Sequence, residues 1–244
     1  MPAQDDYFAK AIALLARAQE TQRDALETAA QRIAASFAQD GMLYTFGTGH
    51  AHLLAEEIFY RAGGMARVCP MLDERLMLHA SAHASTAWER TPGLAAQVLA
   101  RYPVRAGDVL ILLSNSGRNA APVEMAHAAR AAGLYTIALT SLRHAQSAAP
   151  RNTLGLRLHE AADLTLDNQG EVGDATLTMA DGRQVGPTST VVGAALLQAL
   201  ACRVYALGLA SGCPIDFFVS SNVDGGDERN ERLIAAYRAR VPHL

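Results

Sequence analysis

Near the start of the chain Phe8, Ile12, Leu15, Leu26, Ile33 and Phe37 recur at intervals of close to three and four, or multiples of them. Such spacing lines one face of a helix, and Asp40-Gly41 makes a natural stop. Residues 1–41 therefore read as one long or two consecutive helices, a helical extension ahead of a domain covering 42–244. From Met42 the texture changes to short apolar runs, MLYTF, ARVCPML, DVLILL, YTIALT and DLTLD, alternating with helical stretches. That alternation favours right-handed βαβ crossovers and an α/β, doubly wound, mostly parallel sheet with helices on both faces. ATLTMADGRQVGP departs from the pattern, and its alternation around Ala-Asp-Gly-Arg predicts a hairpin or a long ordered loop. Residues 189–209, STVVGAALLQALACRVYALGL, are apolar nearly all round, the mark of a buried helix or of one at a subunit interface. A charged helix over 227–240 is expected to close the chain, with Asp227 as its N-cap.

Composition narrows the functional classes. With 244 residues, half of them apolar and 18% charged, the chain can bury a sizeable core. A net charge of −3 supplies no basic field for nucleic acid or an anionic membrane, so neither is expected as a partner. No window holds about 18 consecutive apolar residues, and MPAQDDYFAK lacks the order of a signal peptide, which gives a cytoplasmic expectation. Cys69, Cys202 and Cys213 are odd in number without C-x-x-C spacing, so packing is expected of them rather than disulfides or zinc. Lys10 is the only lysine and has no glycine loop beside it, which excludes a Walker A loop and Schiff-base chemistry.

Ligands of open parallel sheets bind at the carboxyl ends of the strands. Gly47-Thr48-Gly49-His50 follows MLYTF, Ser114-Asn115-Ser116-Gly117-Arg118-Asn119 follows DVLILL, and Ser141 follows YTIALT. Pro187-Thr188-Ser189-Thr190 opens the long apolar helix. In SNSGRN, helix-start amides and hydroxyls suit an anion, phosphate above all. The same residues also suit a plain capped turn. GTGHAH fits a dinucleotide fingerprint only in part: His52 replaces the third glycine, and Asp73 and Glu74 come too late, after Pro70, to end the second strand.

The order GTGH, SNSGRN, ALTS and PTST behind a leading helix resembles the sugar isomerase (SIS) domain family, from about the first helix to Leu209. Within it the chain is similar to a bacterial group sharing the GTGH, SNSGRN and VDGGD strings. The resemblance implies a flavodoxin-like, Rossmann-like sheet, a phosphorylated sugar as ligand, and a homodimer or homotetramer. It implies that Ser114, Asn115, Ser116 and Asn119 hold the phosphate around Gly117, with Gly47, Thr48, Gly49, Ser141 and Ser189 also at the phosphosugar. In phosphoheptose isomerase-like members a glutamate of the first domain helix moves a proton, and Glu57 matches it. Glu57 lies seven residues from His50, on the same helical face; it is also placed to pair with Arg61 at i+4. Leu53 stands where those relatives carry a metal-binding histidine, so no metal and no cofactor are expected.

Imidazoles titrate near neutrality and can open a sugar ring. His50 and His79 are the candidates, with His52 and His83 as further histidines that read equally as caps or surface groups. Residues 222–230, NVDGGDERN, read as a segment completing a neighbouring site or as a turn and helix start. The expected function is a phosphosugar isomerase interconverting aldose and ketose phosphates through an enediol. The alternatives are a lyase or etherase of amino-sugar phosphates and a non-catalytic phosphosugar sensor. A sensor usually acts through a DNA-binding region, and this sequence carries no basic helix pair for one.

Overall fold

A computed structural model describes residues 2–244. The leading segment is two helices, α1 (Ala3–Thr21) and α2 (Arg23–Ala38), broken at Gln22. Gln22 is buried at the break, where its side-chain oxygen accepts the Asp167 amide at 2.8 Å. There follow β1 (Leu43–Gly47), α3 (Ala51–Glu57), β2 (Val68–Pro70), α4 (Leu78–Glu89) and α5 (Leu94–Leu99). The middle of the chain forms β3 (Val109–Leu113), α6 (Ala120–Ala131), β4 (Tyr135–Thr140), α7 (Leu142–Gln146), α8 (Leu158–Ala161) and β5 (Leu164–Asp167). The chain closes with β6 (Ala175–Thr178), β7 (Gln184–Pro187), α9 (Ser189–Ala210) and α10 (Gly226–Tyr237).

All five apolar runs are strands of one parallel sheet in the order β2-β1-β3-β4-β5, and β6 with β7 is the separate antiparallel hairpin. Side chains alternate along each strand, and here both faces are covered. Tyr44, Phe46, Leu110, Leu112 and Ala138 pack with α5, α6, α8 and α10. Leu43, Val109, Ile111, Leu113, Ile137 and Leu139 pack on the other face with α2, α3 and α9. This is the doubly wound α/β arrangement expected of continuous apolar strands.

α9 is 22 residues long and contains an 18-residue stretch of mean hydropathy 1.6, long and apolar enough by length and composition to cross a membrane. In the fold it is a layer helix: Val192, Leu196, Leu197, Leu200 and Val204 are buried against α2, α3 and the sheet. Its outer side leaves Val191, Tyr205 and Leu209 exposed.

Two local expectations are corrected. Helix α10 begins at Gly226 with Gly225 in the left-handed conformation as its cap, and Asp227 lies in the first turn without capping it. An adjoining constraint explains this: buried Asn230 bonds both the amide and the carbonyl of Val219, which fixes the 222–230 turn on the preceding loop. Of the cysteines only Cys69 packs inside, where burial pushes its thiol up to about 12; Cys202 and Cys213 are exposed.

At the amino ends of the central strands, Asp108 is 1% exposed and its carboxylate accepts the amides of Met42 (2.8 Å) and Arg105 (2.7 Å). It clamps the entries to β1 and β3 together. Asp108→Ala would leave two amide donors without their acceptor, at a cost of about 1–3 kcal/mol for each one left buried. Urea unfolding of the variant is expected to show a loss of about 2–4 kcal/mol with little change in slope; a loss below about 0.5 kcal/mol would contradict the clamp.

Candidate active site at the carboxyl ends of the strands

The strand order reverses between β1 and β3, because β1 connects outward to β2 while β3 starts the run toward β5. In such sheets the loops at that point part and leave a crevice. Here Gly47 pairs with Leu113, Leu113 with Leu139, and Thr140 with Asp167. The residues just past each strand, Thr48, Ser114, Ser141 and Asn168, thus arrive at one level. Thr48, Ser114 and Asn168 border a cleft of about 280 Å³ that the turn after β3 shares with the loop after β1.

Gly47 and Gly117 shape this turn geometry. A Cβ on Gly47 would sit 2.3 Å from the Ala51 carbonyl oxygen, so only glycine lets α3 start directly over the strand end. Gly117 has φ +56° and a Cβ there would meet Thr140 Oγ1 at 3.0 Å; its amide donates to Ser114 Oγ at 3.2 Å, closing the turn that leads into α6. The first amides of a helix have no intrahelical acceptor and carry partial positive charge. The turn therefore presents an anion-favouring end to the cleft. Asn115 Nδ2 and Asn119 Oδ1 are buried there without hydrogen-bond partners. Buried polar groups are seldom left so, which sets both apart from the paired groups around them.

The cleft gathers most of the residues singled out in the sequence: Thr48, Gly49, His50, Ser114, Asn115, Ser116, Asn119 and Ser189 line it. Ser141 does not. Its hydroxyl is fully buried, donates to the Gly170 carbonyl at 2.7 Å and accepts the His144 amide as the cap of α7. Glu57 is also set apart. It shares a helical face with His50, but seven residues along a helix is about 10 Å, which carries it to the far end of α3. There its carboxylate bonds Arg61 and accepts Gln198 Nε2 at 2.9 Å. His79 is exposed on a separate open cleft of about 740 Å³ with Glu56, Asp73 and Arg101, and its ring edge meets that of buried His52. His52 is tied by Nδ1 to the Gly49 carbonyl oxygen at 2.7 Å. Among the described residues no cluster of three or more histidines, cysteines or carboxylates is placed for a metal ion.

Thr190 of the PTST turn lines the cleft as well, and the fold adds Glu89, His144, Asn168 and Asp174. Glu89, the last residue of α4, accepts the Thr48 hydroxyl at 2.8 Å and so holds a carboxylate at the β1 side. On the opposite side Asn168 Nδ2 donates to Asn115 Oδ1 at 2.9 Å, and the Gly170 amide fixes Asn168 Oδ1. Asp174 accepts the Thr188 and Ser189 amides on Oδ1 and the Ser189 hydroxyl on Oδ2, closing the start of α9. His144 Nδ1 is buried without a partner, and burial holds the imidazole below its ordinary range, with Asp174 pulling it up and Arg118 down.

Of these additions only Asn168 was visible by the strand-end rule, since it follows LTLD directly. Glu89 lies in STAWER, distant from any glycine turn. Asp174 sits at φ +65° in the loop before the hairpin, and nothing in its neighbours marks it.

The geometry is that of a doubly wound α/β protein with an anion-favouring turn at its switch point. The SIS domain family pattern matches residues 6–141, and the chain belongs to that family. A UPF0309 protein of Geobacillus thermodenitrificans is 41% identical over 241 residues, 98% of this chain and 97% of the relative. Among solved structures, a phosphoheptose isomerase from Neisseria gonorrhoeae matches with a TM-score of 0.53 at 20% identity, covering 84% of this chain and 97% of that one. The Vibrio vulnificus NanR protein complexed with ManNAc-6P matches with a TM-score of 0.53 at 15% identity, covering 99% and 70%.

Proposed function

We propose that the cleft binds a phosphorylated sugar and interconverts its aldose and ketose forms through an enediol. The observation that carries this reading is one cleft holding both an anion-favouring turn, 114–119, and a positioned carboxylate, Glu89. A fold shared with a phosphoheptose isomerase and with a protein complexed with ManNAc-6P supports a phosphosugar ligand.

In this reading the phosphate sits at the start of α6, received by the turn amides, Ser116 and the free Asn115 Nδ2. Binding energy gained there is remote from the reacting carbons and holds C1 and C2 beside the carboxylate. Glu89 takes the C2 proton of the open-chain aldose, and the electron pair left behind forms the C1=C2 bond while the carbonyl oxygen takes up a proton. Glu89 then returns its proton to C1, and the enediol collapses to the ketose with loss of the O2 proton. The Thr48 hydroxyl, donating to Oε1, orients the carboxylate. His144, kept neutral at pH 7 by burial, accepts a hydroxyl proton during ring opening and hands it on. Glu89 thereby takes the part that family resemblance implied for Glu57, whose carboxylate is engaged with Arg61 and Gln198.

A second copy of the chain completes the assembly. α1 exposes Phe8 and Ile12, α9 exposes Val191, and Leu15, Leu26, Val192 and Leu196 line an apolar groove of about 500 Å³ between these helices. Sedimentation at micromolar concentration is expected to give a dimer or tetramer, and a monomer would remove this part of the proposal.

Glu89→Gln is expected to lower turnover by roughly two to four orders of magnitude, the usual worth of a positioned acid or base. Binding of the same sugar phosphate should change by less than about threefold, because only proton transfer is removed. Glu57→Gln is expected to keep both properties. Deuterium wash-in at C2, followed by proton NMR, together with calorimetric binding separates the cases. Undiminished exchange in Glu89→Gln would take Glu89 out of the mechanism, and a collapse of exchange in Glu57→Gln alone would move the proton transfer there.

A further inference from the structure

Residues 78–93, the stretch LHASAHASTAWERTPG that forms α4 and its exit, contribute no side chain to either hydrophobic core. Both flanks do: Leu76 before it and Leu94 after it are core residues, each 1% exposed. Within 78–93 Ser85 alone is buried, and its hydroxyl donates to the Ala82 carbonyl of its own helix at 3.0 Å. Helices in folded proteins are held mainly by an apolar face packed on their neighbours. α4 offers alanines at 80, 82, 84 and 87 and one large apolar side chain beyond Leu78, that of Trp88, which is 37% exposed. It is a strap fastened at its two ends.

Each end has a break in the backbone. Ser81 lies inside α4 at φ −170° and ψ 109°, extended backbone that interrupts the helix, and its hydroxyl accepts the Ala84 amide at 3.3 Å where a second helical piece begins. Gly93 turns the chain into α5 at φ +81°, in the left-handed region. A few φ/ψ changes at such positions can carry the piece between them as a unit. Among the described residues, one hydrogen bond joins 82–92 to another element: Thr48 Oγ1 donates to Glu89 Oε1 at 2.8 Å. The other directed contact is the Arg75 guanidinium, 5.3 Å from the Trp88 ring centre. Glu89 is also the one residue of the segment that lines the cleft. The strap is therefore tied down at the site itself.

We propose that residues 82–93 are a hinged arm, latched by the bond between Thr48 and Glu89, that opens to admit the ligand and closes to set Glu89 beside it. The proposal rests on the phosphosugar reading above and adds how that same site is gated. With the arm open, Glu89 is withdrawn and no proton is taken from a sugar still in water. Closure returns the carboxylate to Thr48 and shuts solvent out of the cleft while proton transfer proceeds.

Hydrogen exchange of the full chain, read by mass spectrometry, tests the arm before any ligand is added. Amides of 82–92 are expected to exchange at least about tenfold faster than those of α6, whose inner face is core. Glu89→Ala, on the exposed segment, and Thr48→Val should each speed exchange at 82–92 by about tenfold, the worth of one hydrogen bond to a charged group, and leave α6 unchanged. The double variant should add nothing further, because both changes remove the same bond. Exchange at 82–92 as slow as in α6, or unchanged in both single variants, overturns the arm. Saturating glucose 6-phosphate, its binding followed by calorimetry, is expected to slow exchange at 82–92 and to reduce acrylamide quenching of Trp88, the chain's only tryptophan. Measured binding with exchange and quenching unchanged overturns closure while phosphosugar binding stands. Failure of glucose 6-phosphate, fructose 6-phosphate and inorganic phosphate to bind overturns the reading beneath it, and the ligand-free exchange still decides whether the arm opens.

Discussion

Everything at the site depends on the register of the parallel ladder. Parallel strands fix the level at which each chain leaves the sheet, and here the pairs Gly47 with Leu113 and Leu113 with Leu139 bring the loops after β1, β3 and β4 to a common edge. A slip of one residue would invert every strand's apolar faces between the two cores. Both faces are buried, so the same hydrophobic contacts that stabilise the domain also hold Thr48 and Ser114 side by side. The crevice follows from topology: neighbouring loops diverge where the strand order turns back.

Among the described residues that line it, that crevice receives hydroxyls, amides and carboxylates and no lysine or arginine. In the proposed reading the turn 114–119 meets an anion with backbone amides at the start of α6, which need no flexible arm. Rigid parts surround it. Gly47 admits α3 close over the strand end, Ser141 locks the neighbouring loop to Gly170, and Asn168 braces Asn115. Such support is what keeps unpartnered groups such as Asn115 Nδ2 and His144 Nδ1 in place rather than collapsed onto one another.

The sheet was readable in the chain because each strand is a compact apolar run bounded by helix-forming sequence, and MLYTF, DVLILL and YTIALT leave little choice. The polar turn at the cleft was readable too, since SNSGRN ends such a run. What lay beyond reach came from distant segments. Glu57 shares a helical face with His50, but periodicity gives direction around a helix and says nothing of distance along it. Glu89 reaches the cleft because α4 ends beside Thr48, a contact across 41 positions that no local pattern encodes. Ser141 occupies the right place in its loop and spends its hydroxyl on the fold, as a single sequence position cannot reveal. Asp174 depends on the loop before the hairpin folding back on the start of α9, a long-range closure without a motif.

We infer that the turn between β3 and α6 receives a phosphoryl group through its backbone. Titrating isotopically labelled protein with inorganic phosphate and following backbone amide resonances reads that claim directly, residue by residue. Saturable shifts are expected to be largest at Ser116, Gly117, Arg118, Asn119 and Ala120, with little change at Arg75 and Arg101, which line the separate open cleft. Saturable shifts confined to those arginines, with the amides of residues 116–120 unmoved, would contradict it.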